Sequence, residues 1–158
     1  MKLRQILIGI FILASFSCYD ALEEVYDEAG RRSNSGTALW ARSIIAGTSY
    51  SGFYSVTSDP SGNVYAAGYQ DGTGTYTYDT GVSAAGTSST CNCVLVKYNN
   101  SGTTQWARTV TAGNGNSIFY SVIVDSSGNV YAAGFQGGAI TYSYGIGVSA
   151  AGTSSNSN

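Results

Sequence analysis

The stretch Asp59-Pro60-Ser61-Gly62-Asn63-Val64-Tyr65-Ala66-Ala67-Gly68 recurs at residues 125–134 with one change, Ser126 in place of Pro60. The copies lie 66 residues apart, and the correspondence spreads outward from this point in both directions. Residues 40–92 align with 106–158 without a gap, and most aligned positions are identical. Trp40-Ala41-Arg42 answers to Trp106-Ala107-Arg108, and Phe53-Tyr54-Ser55-Val56 to Phe119-Tyr120-Ser121-Val122. The run Gly81 to Ser89 returns unchanged at Gly147 to Ser155. Similarity at a fixed period marks a repeat architecture, in which one supersecondary unit is used more than once.

The chemistry of the quoted stretch says what the unit is made of. An Asp at a turn entry accepts hydrogen bonds from nearby backbone amides, and a Gly three residues on takes positive φ without strain. Asp59, Gly62 and Asn63, with their counterparts Asp125, Gly128 and Asn129, therefore read as structural turn residues. They join a strand at Phe53–Ser58 to one at Val64–Tyr69. In the first strand Tyr54 and Val56 share a face. In the second, Val64, Ala66 and Gly68 point one way and Tyr65, Ala67 and Tyr69 the other, and the small residues allow a neighbouring sheet to approach closely. Residues 71–90 read as a long polar loop. Cys93–Tyr98 makes a third strand, Asn99-Asn100-Ser101-Gly102 a second turn, and the segment around Gln105–Val110 a fourth strand. Four antiparallel strands per period describe one blade of a β-propeller. Composition agrees: 21 Gly and 13 Tyr against one Pro and no His suit short strands and tight turns, and 43% hydrophobic residues suffice for a core.

D-x-S-G-N-V-Y-A-A-G, followed by V-L-V-K-Y-N-x-S-G-x-x-x-W, resembles the SBBP repeats of bacterial β-propeller proteins over residues 40–158. The resemblance implies a propeller scaffold and a surface location, and brings no catalytic residues with it. The expected fold is all-β, a partial β-propeller of about two four-stranded antiparallel blades, in units 40–105 and 106–158 of a domain spanning 37–158. Each unit is longer than the usual blade, and the surplus is assigned to the loop at 71–90. The second unit stops before its third and fourth strands, so these residues do not close a ring. Completion then calls for a longer protein or for self-association with other chains, unless the piece is a remnant.

The N-terminus carries a separate message. Lys2 and Arg4 precede the apolar run Ile6–Phe16, a length that fits a signal core and not a membrane span. Ala14, Ser15 and Ser17 lead to Cys18, and residues 1–18 resemble a bacterial lipoprotein signal of relaxed form, with Ser15 and Phe16 where Leu and a small residue are usual. The resemblance implies lipidation at Cys18 and a membrane attachment through that lipid, with ordinary cleavage near Ser17 or an uncleaved anchor as the competing readings. The expected location is the cell envelope, at the outer membrane or cell surface. Residues 19–36 hold five of the nine acidic side chains and read as an acidic tether.

Charge and side-chain inventory narrow the function. Cleavage before Cys18 leaves five basic and nine acidic residues, with no basic stripe for phosphates, which argues against nucleic acid as a partner. Asp59 and Asp125 open a faint calcium-loop pattern, but Gln70 and Gln136 stand where the late bidentate Glu belongs. Cys91 and Cys93 lack further ligands for zinc, leaving a local disulfide or two buried thiols. Serines find no histidine, and Lys97 is the only lysine of the domain. No metal, no cofactor and no catalytic residue is expected, hence no enzyme. The Trp40/Arg42 and Trp106/Arg108 pairs read as packing between units. What remains is a non-catalytic surface module that binds an unknown protein or glycan through 71–90 and 137–156, or a structural fragment of a longer propeller.

Overall fold

The structure, a computed structural model, describes residues 38–155; the expected signal segment, Cys18 and the acidic tether lie outside the described residues. Ten strands and no helix occur among the described residues. The first copy of the repeat supplies β1 (Ser51–Ser58), β2 (Val64–Asp71), β3 (Thr75–Asp79), β4 (Val82–Ala85) and β5 (Cys91–Tyr98), and β6 (Thr104–Thr109) runs across the start of the second. The second supplies β7 (Ser117–Val124), β8 (Val130–Gln136), β9 (Thr141–Gly145) and β10 (Val148–Ala151).

Strands β1, β2, β5 and β6 form one antiparallel sheet in that order. The β1–β2 turn closes because Asp59 accepts two backbone N–H groups, and Gly62 sits at φ 78°. The β5–β6 turn uses the same device with Asn99, whose Oδ1 accepts from the Ser101 and Thr103 amides, and with Gly102 at φ 79°. A β-bulge interrupts β1 at Tyr54, where the register passes from Phe53 opposite Gly68 to Ser55 opposite Ala67. Only glycine fits at 68, because a Cβ there would overlap the Gly52 carbonyl oxygen; Gly134 faces the Ile118 carbonyl in the same way. The bulge recurs at Tyr120.

Residues 71–90 are not a polar loop. They contain the hairpin β3–β4, which packs on one face of the four-stranded sheet. The alternation in Thr75-Tyr76-Thr77-Tyr78 has the period of a strand, with β-branched residues outward and rings inward. Tyr76 and Tyr78 are buried with Ala66, Val94, Val96 and Ala107. The tyrosines can enter a core because their hydroxyls are engaged. Tyr76 donates to the carbonyls of Tyr50 and Asp71 at 3.1 and 2.9 Å, and Tyr78 donates to Oε1 of Gln70 at 2.8 Å. Gln70 in turn donates to the Ala84 carbonyl at 3.0 Å. Asn92 ties the end of the hairpin down: its Oδ1 accepts the Thr87 and Ser88 amides at 2.8 and 2.7 Å.

The other face of that sheet is covered by the second copy. Tyr65 and Ala67 are buried against Val122, with Leu95, Trp106, Val124 and Val130 around them. The expected opposition of Ala66 and Ala67 across β2 is thus observed, each in a different core. A further cluster joins Cys93, Val110 and Tyr142 beneath β9–β10. The two copies even share an isolated bridge, Ala46 to Thr77 and Ala112 to Ser143. The architecture is all-β, made of one four-stranded and three two-stranded antiparallel sheets. Among the described residues these sheets do not close into a barrel or a ring.

Candidate functional site

The repeated turn residues come first, since they carry the acidic group that recurs in both units. Asp59 accepts the Ser61 amide at 3.0 Å and the Asn63 amide at 2.9 Å through Oδ1. Its Oδ2 accepts the Asn63 side-chain amide at 2.7 Å and the Tyr65 hydroxyl at 3.2 Å. Asp125 repeats the set with Ser127, Asn129 and Tyr131. An ionised carboxylate offers about four lone-pair positions, and four donors occupy them here. The Asn63 side-chain amide is the foremost of the donors that hold the Asp59 carboxyl below its ordinary value; Asn129 is foremost for Asp125. Gly128 takes φ 83°. The chemistry of these residues is that of a locked turn.

Cys91 and Cys93 are free thiols, and burial raises both to about 11. Of the two readings left open, the disulfide is not formed. Cys93 is packed under Tyr142, and its backbone N–H donates to the Ser117 hydroxyl at 3.0 Å. Among the described residues no group of three or more His, Cys, Asp or Glu side chains is placed to hold a metal ion. Trp40 lies against Tyr98, with ring centroids 5.6 Å apart, and Trp106 against Tyr65 at 6.1 Å. Lys97 caps the Tyr65 ring and Arg108 the Trp106 ring. Trp106 thus packs between the units, whereas Trp40 packs within its own.

The residues that sequence reasoning passed over are the tyrosines at the two bulges. Tyr54 stacks on Tyr69 with centroids 5.6 Å apart, meets Tyr120 at 5.5 Å, and Tyr120 stacks on Phe135 at 5.8 Å. Four rings therefore run in an unbroken ladder, Tyr69–Tyr54–Tyr120–Phe135, across the junction of the two copies. Tyr54 is 55% exposed and Tyr120 52%, while Tyr69 and Phe135 are half-buried beneath them. A bulge re-aims the side chain it carries, which is why two large rings stand off the strand rather than joining a core. The Tyr69 hydroxyl is raised above its ordinary value, first by burial and then by Tyr54 and Asp71 beside it. The ladder is a partly wetted aromatic strip. It suits stacking against a flat apolar face with hydroxyls at its margin.

A comparison with protein families finds none that matches the chain, and a comparison with curated proteins finds no match either.

Proposed function

We propose that the chain is a non-catalytic binding module, exported to the bacterial cell surface and built on propeller-type blades, and that it takes a glycan on the aromatic ladder. The observation that carries this reading is the ladder itself. Two bulges of one repeat bring four rings into line with the middle two exposed, at a place where no core requires them. A contiguous exposed aromatic patch marks an interaction site, and pyranose rings present C–H faces that stack on such rings. A polymer of repeated sugars also matches a surface made by repeated residues. The blade reading is supported by the four-stranded antiparallel sheet and by the face-on packing of the second copy against it. Export and lipidation rest on residues 1–18, as argued from the sequence.

The test uses the full chain with xylan and with chito-oligosaccharides as probes, read by calorimetry and by tyrosine fluorescence. One of the probes is expected to bind, and Tyr54→Ala with Tyr120→Ala is expected to weaken that binding roughly tenfold or more. Neither probe binding, or unchanged binding by the double variant, overturns the glycan assignment. The expected binding loops at 71–90 and 137–156 give way in this reading, since each holds a hairpin anchored by a buried tyrosine, Tyr76 in one and Tyr142 in the other.

A further inference from the structure

Ring contact and exposure together divide the tyrosines of this molecule. Among the described residues three pairs of tyrosine rings meet: Tyr54 with Tyr69, Tyr54 with Tyr120, and Tyr142 with Tyr144. Tyr142 is fully buried and Tyr69 half-buried, so of the three only Tyr54–Tyr120 has both rings open to solvent. It is also the pair that spans the two copies, at equivalent positions 66 residues apart. Its centroids lie 5.5 Å apart and its planes are tilted by 50°, so an edge of one ring approaches the other instead of lying flat upon it. At that separation facing ring carbons are close to van der Waals contact, and rotation of two exposed side chains closes the remaining distance. On its far side Tyr120 meets Phe135, which has no hydroxyl and forms no phenoxyl radical. Tyr54 keeps its exposure with the second copy packed beside it, so the open phenols belong to the junction itself.

We infer that Tyr54 and Tyr120 are an oxidative cross-linking site, at which a haem peroxidase acting with hydrogen peroxide joins the two copies through a dityrosine bond. The peroxide takes one electron and one proton from each phenol and is reduced to two water molecules. The two phenoxyl radicals couple at a ring carbon ortho to each oxygen, forming one carbon–carbon bond. The hydrogen on each of those carbons then passes to the adjacent oxygen, so both phenols are restored and each ring has lost one hydrogen. No disulfide serves this junction, since Cys91 and Cys93 lie together on β5 and are free. The tyrosine bond closes a loop from one copy to the next, and such a closure stabilises by restricting the unfolded chain. It staples the same junction at which Val122 packs on Tyr65 and Ala67. The inference does not rest on the glycan reading, because it needs two neighbouring phenols and no ligand.

The test treats the full chain, at high dilution, with a haem peroxidase and hydrogen peroxide, and follows dityrosine fluorescence in the monomer fraction. Trypsin, cutting after Arg42, Lys97 and Arg108, leaves Tyr54 on the peptide 43–97 and Tyr120 on 109–158. The expected product is these two peptides joined, with fragmentation placing the bond at Tyr54 and Tyr120. Tyr54→Phe and Tyr120→Phe are each expected to abolish the joined peptide and most of the monomer's dityrosine fluorescence. Treatment is expected to raise the urea midpoint of the parent relative to that of Tyr54→Phe. A bond confined to peptide 43–97, such as Tyr54 to Tyr69, overturns the choice of pair. Coupling only between molecules, or an unchanged yield in either phenylalanine variant, overturns the site, and an equal midpoint shift in Tyr54→Phe overturns the staple. Phenylalanine keeps the ring faces on which the glycan reading depends, so failure of one reading leaves the other standing.

Discussion

Replacing Asn92 by alanine isolates the tie between the β3–β4 hairpin and the sheet beneath it. Asn92 is fully buried, and its Oδ1 is the acceptor for the amides of Thr87 and Ser88. Its Nδ2 lies within 3.1 Å of the carbonyls of Gly72, Ser88 and Thr90. Alanine removes the acceptor and leaves two enclosed N–H groups without one, at about 1–3 kcal/mol each. The expected loss is about 2–6 kcal/mol, a large part of the roughly 5–15 kcal/mol that a domain of this kind holds in total. The carbonyls lose less, since each has a second lone pair. Urea unfolding of the full chain, followed by the fluorescence of Trp40 and Trp106, reads the change as a lower midpoint at unchanged slope. Asn92→Asp keeps the acceptor oxygens but removes the donors and buries a charge. Its deficit relative to the parent is therefore expected to shrink as pH falls and the carboxyl protonates. A shift within about 0.5 kcal/mol for Asn92→Ala, the range of an ordinary surface change, refutes the tie.

Two further outcomes follow from the same geometry. Tyr76→Ala empties a fully buried ring position and is expected to cost about 3–5 kcal/mol, with Tyr76→Phe losing only the hydroxyl bonds at about 1 kcal/mol; the urea midpoints check both. Asp59 and Asp125 have carboxyls depressed by their turn donors, so the stability they add is present above the ordinary carboxylate value of 3.8 and is lost as pH falls through their lower folded values. Acid titration of the melting temperature is expected to show that fall, flattened in an Asp59→Asn, Asp125→Asn double variant.

The parts of the fold written in local sequence are those whose causes are local. The Asp59 and Asp125 turns, the Asn99 turn and the two-faced pattern of Val64 to Tyr69 all depend on residues within a few positions of one another. The segment 71–90 misleads because its Gly, Ser and Thr content resembles a loop, while the deciding signal is the alternation of two tyrosines between threonines. Those tyrosines count as polar until carbonyls and Gln70 are supplied for their hydroxyls, and these partners come from β2 and from Tyr50 just before β1. The ladder was hidden for another reason. Phe53-Tyr54-Ser55-Val56 gives no sign of which residue is bulged out, because the bulge is set by the partner strand. The available signal was Gly68, since an isolated glycine within a strand pattern marks a bulge or a close backbone approach, and both occur here.

Burial in this molecule is a property of neighbours more than of sequence. Ala67 in β2 is wholly buried and Ala133 in β8 is exposed, although each sits in the same V-Y-A-A-G run. Tyr65 is 2% exposed beneath Trp106 and the second copy, whereas its counterpart Tyr131 is 55% exposed. The residues that bury Tyr65 and Ala67 include Val122, Val124 and Val130, so the face of one unit is finished by the front of the next. Among the described residues the second unit leaves the corresponding face uncovered. Stability in such an arrangement is held at the junctions between units, each of which contacts only its neighbours. The junction is also where Tyr54 and Tyr120 meet, so the contact that orders the two copies is the one that builds the ladder. A variant that loosens the packing of Val122 against Tyr65 and Ala67 therefore breaks the ring spacing along with the fold, while loss of a ladder tyrosine leaves the fold intact. That expected asymmetry would separate the proposed glycan surface from the packing that joins the two copies.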